Sequence, residues 1–157
     1  MHPATNNDGL TSYCFEDLQV GMRGEYRRTI SQADIELFAE VSGDINPLHL
    51  DESFAARTMF KGRIVHGMYT AAMISTVIGT RLPGPGCVYL SQSLRFRAPV
   101  RAGDEVVASA TVAELFAARR RVRLETQCRV GELVVLTGEA LILTPTRAEL
   151  QALAEAG

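Results

Sequence analysis

His66-Gly67-Met68-Tyr69-Thr70-Ala71-Ala72-Met73-Ile74-Ser75-Thr76-Val77-Ile78 is the stretch on which the fold turns. It carries no Asp, Glu, Lys or Arg, is rich in Ala, Met and Ile, and runs into Gly79. A helix that is apolar almost all round has to be buried. The reading is a central helix over residues 66–78 that stops at Gly79. Thr70, Ser75 and Thr76 interrupt the apolar run, which is too short to span a bilayer.

Downstream, Leu82-Pro83-Gly84-Pro85-Gly86 is a loop, and the pattern then changes from helical to alternating. Val88, Leu90, Leu94 and Phe96 fall in one run ended by Pro99. Val106, Ala108, Ala110 and Val112 form a second, and Val122, Leu124, Thr126, Cys128 and Val130 a third. After a tight turn at Gly131-Glu132 come Val134, Leu136, Gly138, Ala140 and Ile142, stopped by Pro145. Consecutive strands with no helix between them imply an antiparallel sheet. The fold class is therefore α+β, with one long helix packed on a curved antiparallel sheet.

Upstream, residues 1–11 are polar and read as a disordered lead-in. Residues 13–20 read as a short extended entry segment and residues 24–30 as a strand. Ser31 with Asp34 makes a capping-box start for a helix carrying Ile35, Phe38 and Val41, ended by Gly43. Asp51 can cap a short helix through Ala56. Thr146 with Glu149 opens a small peripheral helix after Pro145. The expected division is a lead-in over 1–11, a domain over 12–145 and a tail over 146–157.

A length of 157 residues fits one domain, which buries roughly two-thirds of its unfolded surface. A net charge of −2 offers no basic excess, so neither nucleic acid nor an anionic membrane is the expected partner. Cys14, Cys87 and Cys128 are scattered and odd in number, unlike a disulfide framework. With an N-terminus that lacks the marks of a signal peptide, they point to a reducing, cytoplasmic setting.

Polar side chains concentrate in Ser42-Gly43-Asp44-Ile45-Asn46-Pro47-Leu48-His49. On one continuous helix, Asp44 and His49 would diverge by roughly 140° around the axis. Pro47 biases Asn46 away from the helical region, so the chain reverses here and can bring a carboxylate and an imidazole to one point. Acid–base work on water needs such a pair. The plainer reading is a surface turn, since Asp, Asn, Gly and Pro are ordinary turn residues.

The motif Phe38-x-x-Val41-Ser42-Gly43-Asp44-x-Asn46-Pro47-Leu48-His49, with Ala55 beyond it, resembles the signature of MaoC-like (R)-specific enoyl-CoA hydratases. Ile64-Val65-His66-Gly67-Met68 resembles that family's start of the central helix. Residues 89–96, Pro99-Val100, Gly103-Asp104 and Gly138-Glu139-Ala140 follow in the matching order, so the likeness covers about residues 14–144. It implies the hot-dog fold, a long helix wrapped by an antiparallel sheet. It also implies hydration of a trans-enoyl thioester of coenzyme A, or of acyl carrier protein, to the (R)-3-hydroxyacyl thioester, or the reverse. Asp44 and His49 correspond to the catalytic pair that activates one water, and Asn46 to an orienting residue of the same motif. Gly67 corresponds to a backbone N–H that receives the thioester oxygen. Ser75 falls where the family lines its acyl pocket, with Met68 and Ala71 shaping the tunnel. The resemblance further implies a homodimer or higher homo-oligomer, and no cofactor is expected.

Other residues have plainer readings. His66 at the mouth of the helix is expected to cap it or hydrogen-bond there, and Ser75 to bond the preceding turn. Arg57, Lys61, Arg63, Arg95 and Arg97 are candidates for the phosphates of coenzyme A but also suit solvated surface. Arg119-Arg120-Arg121 reads as a charged hairpin end. His49, His66, Asp44 and Asp51 fit no metal-ligand spacing, and no metal is expected. Two other functions stay open on the same fold. A thioesterase would place a carboxylate on or beside the central helix, where residues 68–78 have none. A non-catalytic acyl-CoA-binding protein would not need Asp44, Asn46 and His49 together.

Overall fold

A computed structural model describes residues 4, 5 and 9–156. Helix α1 (Gln32–Ser42) starts at the expected box: Ser31 Oγ accepts from the Asp34 N–H at 3.1 Å, and Asp34 Oδ2 from the Ser31 N–H at 2.9 Å. It ends at Gly43, whose φ of 76° is the left-handed conformation of a helix C-cap. Two single-turn helices follow, α2 (Pro47–Leu50) and α3 (Glu52–Ala55), and then the long α4 (Gly67–Thr80). A last helix, α5 (Arg147–Glu155), opens on the Thr146–Glu149 capping box and buries none of its own residues.

The sheet is wholly antiparallel. Its strands are β3 (Arg23–Thr29), β4 (Val88–Gln92), β5 (Arg95–Phe96), β6 (Glu105–Phe116), β7 (Arg121–Val130) and β8 (Leu133–Leu143). Their order is β3-β6-β7-β8-β4, with β5 also on β8. A separate pair, β1 (Ala4–Thr5) with β2 (Thr11–Ser12), precedes it. Most of the lead-in expected over residues 1–11 lies outside the described residues.

Helix α4 buries Thr70, Met73, Ile74, Val77 and Ile78 against one face of the sheet. That face offers Val106, Ala108, Ala110 and Val112 from β6, with Leu124 and Cys128 from β7. The small side chains of Ala108 and Ala110 let the helix come close, and each fully buried Ile or Val adds roughly 1.5–3 kcal/mol. This is the hot-dog arrangement. The opposite stripe of α4 (Met68, Ala72, Ser75 and Gly79) faces away from the core. Edge strand β4 likewise leaves Val88, Tyr89 and Leu90 substantially exposed. Among the described residues, no helix is long and apolar enough to cross a membrane.

Four local expectations need correction. The central helix passes through Gly79 to Thr80, because Gly79 lies on the outward stripe with nothing within 4 Å of a would-be Cβ. The run through Val88 and Phe96 is two strands, divided where the Ser93 carbonyl crosses Gly138 so closely that a Cβ there would lie 1.9 Å from it. Residues 13–20 contain a 3-10 turn, Phe15–Asp17, in place of a continuous extended segment. Strand β6 is buried on both faces over residues 106–110, in place of strict alternation.

Candidate active site

The reversal expected at Pro47 is the hinge of the site. Asn46 caps α2 by accepting the Leu48 N–H on Oδ1 at 3.0 Å, and Pro47 takes the first helical position, where no N–H is needed. Two residues later His49 is carried inward and is buried, while Asp44 stays exposed on the approach to α2. Asp44 Oδ1 accepts the Asn46 N–H at 3.2 Å, which folds the segment on itself.

Hydrogen bonds to carbonyls assign the imidazole protons. His49 Nδ1 lies 2.9 Å from the Ile64 carbonyl, which can only accept. Nδ1 therefore carries the proton, and Nε2 of the neutral ring keeps its lone pair. Burial lowers the pKa of His49 below its ordinary value; the Ile64 carbonyl opposes this, His66 adds to it and Asp44 opposes it. His66 Nε2 donates to the Asp44 carbonyl at 3.0 Å, and its Nδ1 is buried with no partner among the described residues. The two rings stack, with centroids 3.9 Å apart and planes 29° apart, and Phe38 closes on His66 at 5.0 Å. The capping alternative for His66 is not realised: its side chain makes no capping bond to α4.

A carboxylate oxygen of Asp44, a nitrogen of His49 and a nitrogen of His66 all lie within 4.8 Å of one another. One water can touch groups so spaced. A metal ion fits them poorly. Imidazole binds metal through a lone pair in its own plane at about 2.0–2.1 Å, and two stacked rings cannot aim such lone pairs at one ion. Asp51 is not in the cluster; its Oδ1 caps α3 on the Phe54 N–H at 3.0 Å.

Asp44, His66, Gly67 and Met68 open onto a cavity of about 550 Å³. Its far walls are largely apolar and come from Phe96, Ala98, Val100, Val135 and Leu136. Gly67 is the first residue of α4, where the backbone N–H has no partner within the helix and the dipole favours negative charge. Met59, Phe60 and Phe96 also line this cavity, and the sequence reading missed them as site residues. An apolar pair, Met59-Phe60, set between Thr58 and Lys61 was the available signal. Phe96, between Arg95 and Arg97, reads as an ordinary strand residue.

The remaining candidates are dispersed. In the single chain Ser75 is exposed on the outward stripe of α4 and Ala71 is half-buried; neither lines this cavity. Arg97 reaches the cavity wall, while Arg63 pairs with Glu52 at 3.1 Å and Arg57 lies over the Phe54 ring. Arg95 lines a second groove with more polar walls, which Arg97 also borders.

Known proteins resemble this chain over most of its length. The family model described as MaoC like domain matches residues 17–134. Over 140 residues the chain is 57% identical to a 3-hydroxybutyryl-CoA dehydratase of Methylorubrum extorquens, covering 89% of each. It is 49% identical to an (R)-specific enoyl-CoA hydratase of Rhodospirillum rubrum, covering 89% of this chain and 97% of the relative. Among solved structures, an (R)-hydratase from A. caviae involved in PHA biosynthesis superposes with a TM-score of 0.80 at 41% identity, over 83% of this chain and 99% of that one.

Proposed function

This chain belongs to the MaoC-like family, and on that premise we propose that it is a hydro-lyase for the reversible, (R)-specific hydration of a trans-enoyl-CoA. The observation that carries the reading is that Asp44 and His49 hold a carboxylate oxygen and a ring nitrogen within 4.8 Å of each other, with Asp44 and Gly67 both on the wall of a largely apolar cavity. Water's oxygen bonds to the β-carbon as the double bond moves its electrons toward the thioester oxygen. That oxygen, gaining charge, is received by the Gly67 N–H. The lone pair on His49 Nε2 takes a proton from the water, and the Asp44–His49 pair returns a proton to the α-carbon. The sum is addition of one water with no covalent intermediate.

We extend the proposal to the assembly. The exposed edge of β4 and the outward stripe of α4 suit a homodimer in which two sheets join and two central helices lie together. In that arrangement Ser75 and Ala71 would be enclosed beside Met68 and line the acyl tunnel. Three free cysteines suit a cytoplasmic setting. The domain is taken as residues 12–145, with α5 as an appended tail.

Incubation with crotonyl-CoA tests the reading, following loss of the conjugated absorbance and release of free thiol in parallel. Hydration without thiol release is expected. Thiol release without hydration would show a thioesterase, and no change with enoyl chains of any length would show a binding protein.

A further inference from the structure

We propose that His66 is a positioning residue that ties the acid–base pair to the N–H receiving the thioester oxygen. It stands immediately before Gly67, so whatever holds its ring also sets where the first N–H groups of α4 point. Its Nε2 reaches across 22 residues of chain to the carbonyl of Asp44 at 3.0 Å. Its ring is also the stacking surface of His49, at 3.9 Å. One side chain thus touches both members of the pair and adjoins the third catalytic group. Phe38, from α1, presses on the ring at 5.0 Å and fixes its position from another element.

The two contacts do different work. The Nε2–H bond sets the backbone at Asp44, whose carboxylate is otherwise exposed and, among the described residues, held by the short turn to Asn46. The stacked ring keeps water off His49, whose own hydrogen bond to Ile64 fixes only one edge of the imidazole. His66 need not touch substrate to do either. A residue kept merely for packing would need a flat ring here but no N–H aimed at a carbonyl.

Two substitutions separate these roles, and both rest on the hydratase reading. Activity of the unmodified protein on crotonyl-CoA tests that reading first and separately. His66→Phe keeps a ring on His49 but loses the bond to Asp44. His66→Gln keeps an amide N–H that can reach the Asp44 carbonyl but loses the stack. His66→Phe is expected to lower kcat by about 30-fold or more with KM changed less than about threefold, as for loss of a group that acts only on the transition state. His66→Gln is expected to recover much of that kcat, while the acid limb of its pH profile rises toward the ordinary histidine value as water reaches His49. Near-normal kcat in His66→Phe would overturn the proposal. So would an unmoved acid limb in His66→Gln, or losses in both variants that simply follow their melting temperatures. If His66→Phe does not fold, the limb in His66→Gln decides alone.

Discussion

The ring of Phe96 lies so close over Gly67 that a β-carbon at position 67 would stand 2.7 Å from its Cε1 atom. A side chain is disfavoured there by the neighbour, not by an unusual backbone angle. Gly67→Ala should push Phe96 aside or tilt the start of α4, with overpacking of about 1–3 kcal/mol. Because the N–H then points elsewhere, kcat should fall about 10²-fold, as when one oxyanion donor is lost. Adding Phe96→Leu should recover part of both losses, measured by thermal melting and crotonyl-CoA turnover. Wild-type kinetics in Gly67→Ala alone would remove Gly67 from the reaction.

Asp44→Asn and His49→Gln should each reduce kcat at least about 10²–10⁴-fold. Asn can still accept the Asn46 N–H, so folding should be preserved in the first. The double variant should be little worse than either single one, because the pair acts as a unit. Additive losses in steady-state assays would mean that the two side chains work on separate steps.

The depressed pKa of His49 gives a signed pH dependence. Its cause is chiefly burial, and the ordinary value is 6.5. The unfolded ring binds its proton near 6.5 and the folded ring only at lower pH. The His49 contribution to stability is therefore fully present above that value and is lost as pH falls through the folded one. Activity that needs the Nε2 lone pair should follow, with the acid limb of kcat/KM centred below 6.5. A limb centred above 7 in a pH–rate profile would contradict the assignment.

If β4 is where two copies join, Leu90→Lys should favour the monomer, because a charge replaces an apolar side chain on the unpaired edge. Sedimentation velocity would show the change in mass, and activity should fall with it if the tunnel is shared. A wild-type protein that is already monomeric and active would end the dimer proposal.

The central helix and the succession of strands were legible in the sequence because both depend on periodicity. The reversal at Pro47 was legible because proline restricts its neighbour. What escaped was set by proximity in space. His49 and His66 are separated by α3 and a loop, and nothing in their spacing announces a stack. The close pass of Ser93 over Gly138 leaves only an ordinary-looking glycine in a strand. Gly79 misled in the other direction: glycine costs a helix only about 1 kcal/mol, and the continuing turns of α4 absorb it.

Every group assigned to the chemistry comes from residues 44–67, whereas the far walls of the cavity come from residues 96–100 and 135–136. Separate stretches of gene therefore encode the reaction and the far side of the cavity, while Met59 and Phe60 line the same cavity from within residues 44–67. Variation at Ala98, Val100, Val135 and Leu136 can retune which acyl chains are accepted while the proton-transfer apparatus is inherited unchanged. A library confined to those four codons is the economical route to a hydratase with a new substrate range.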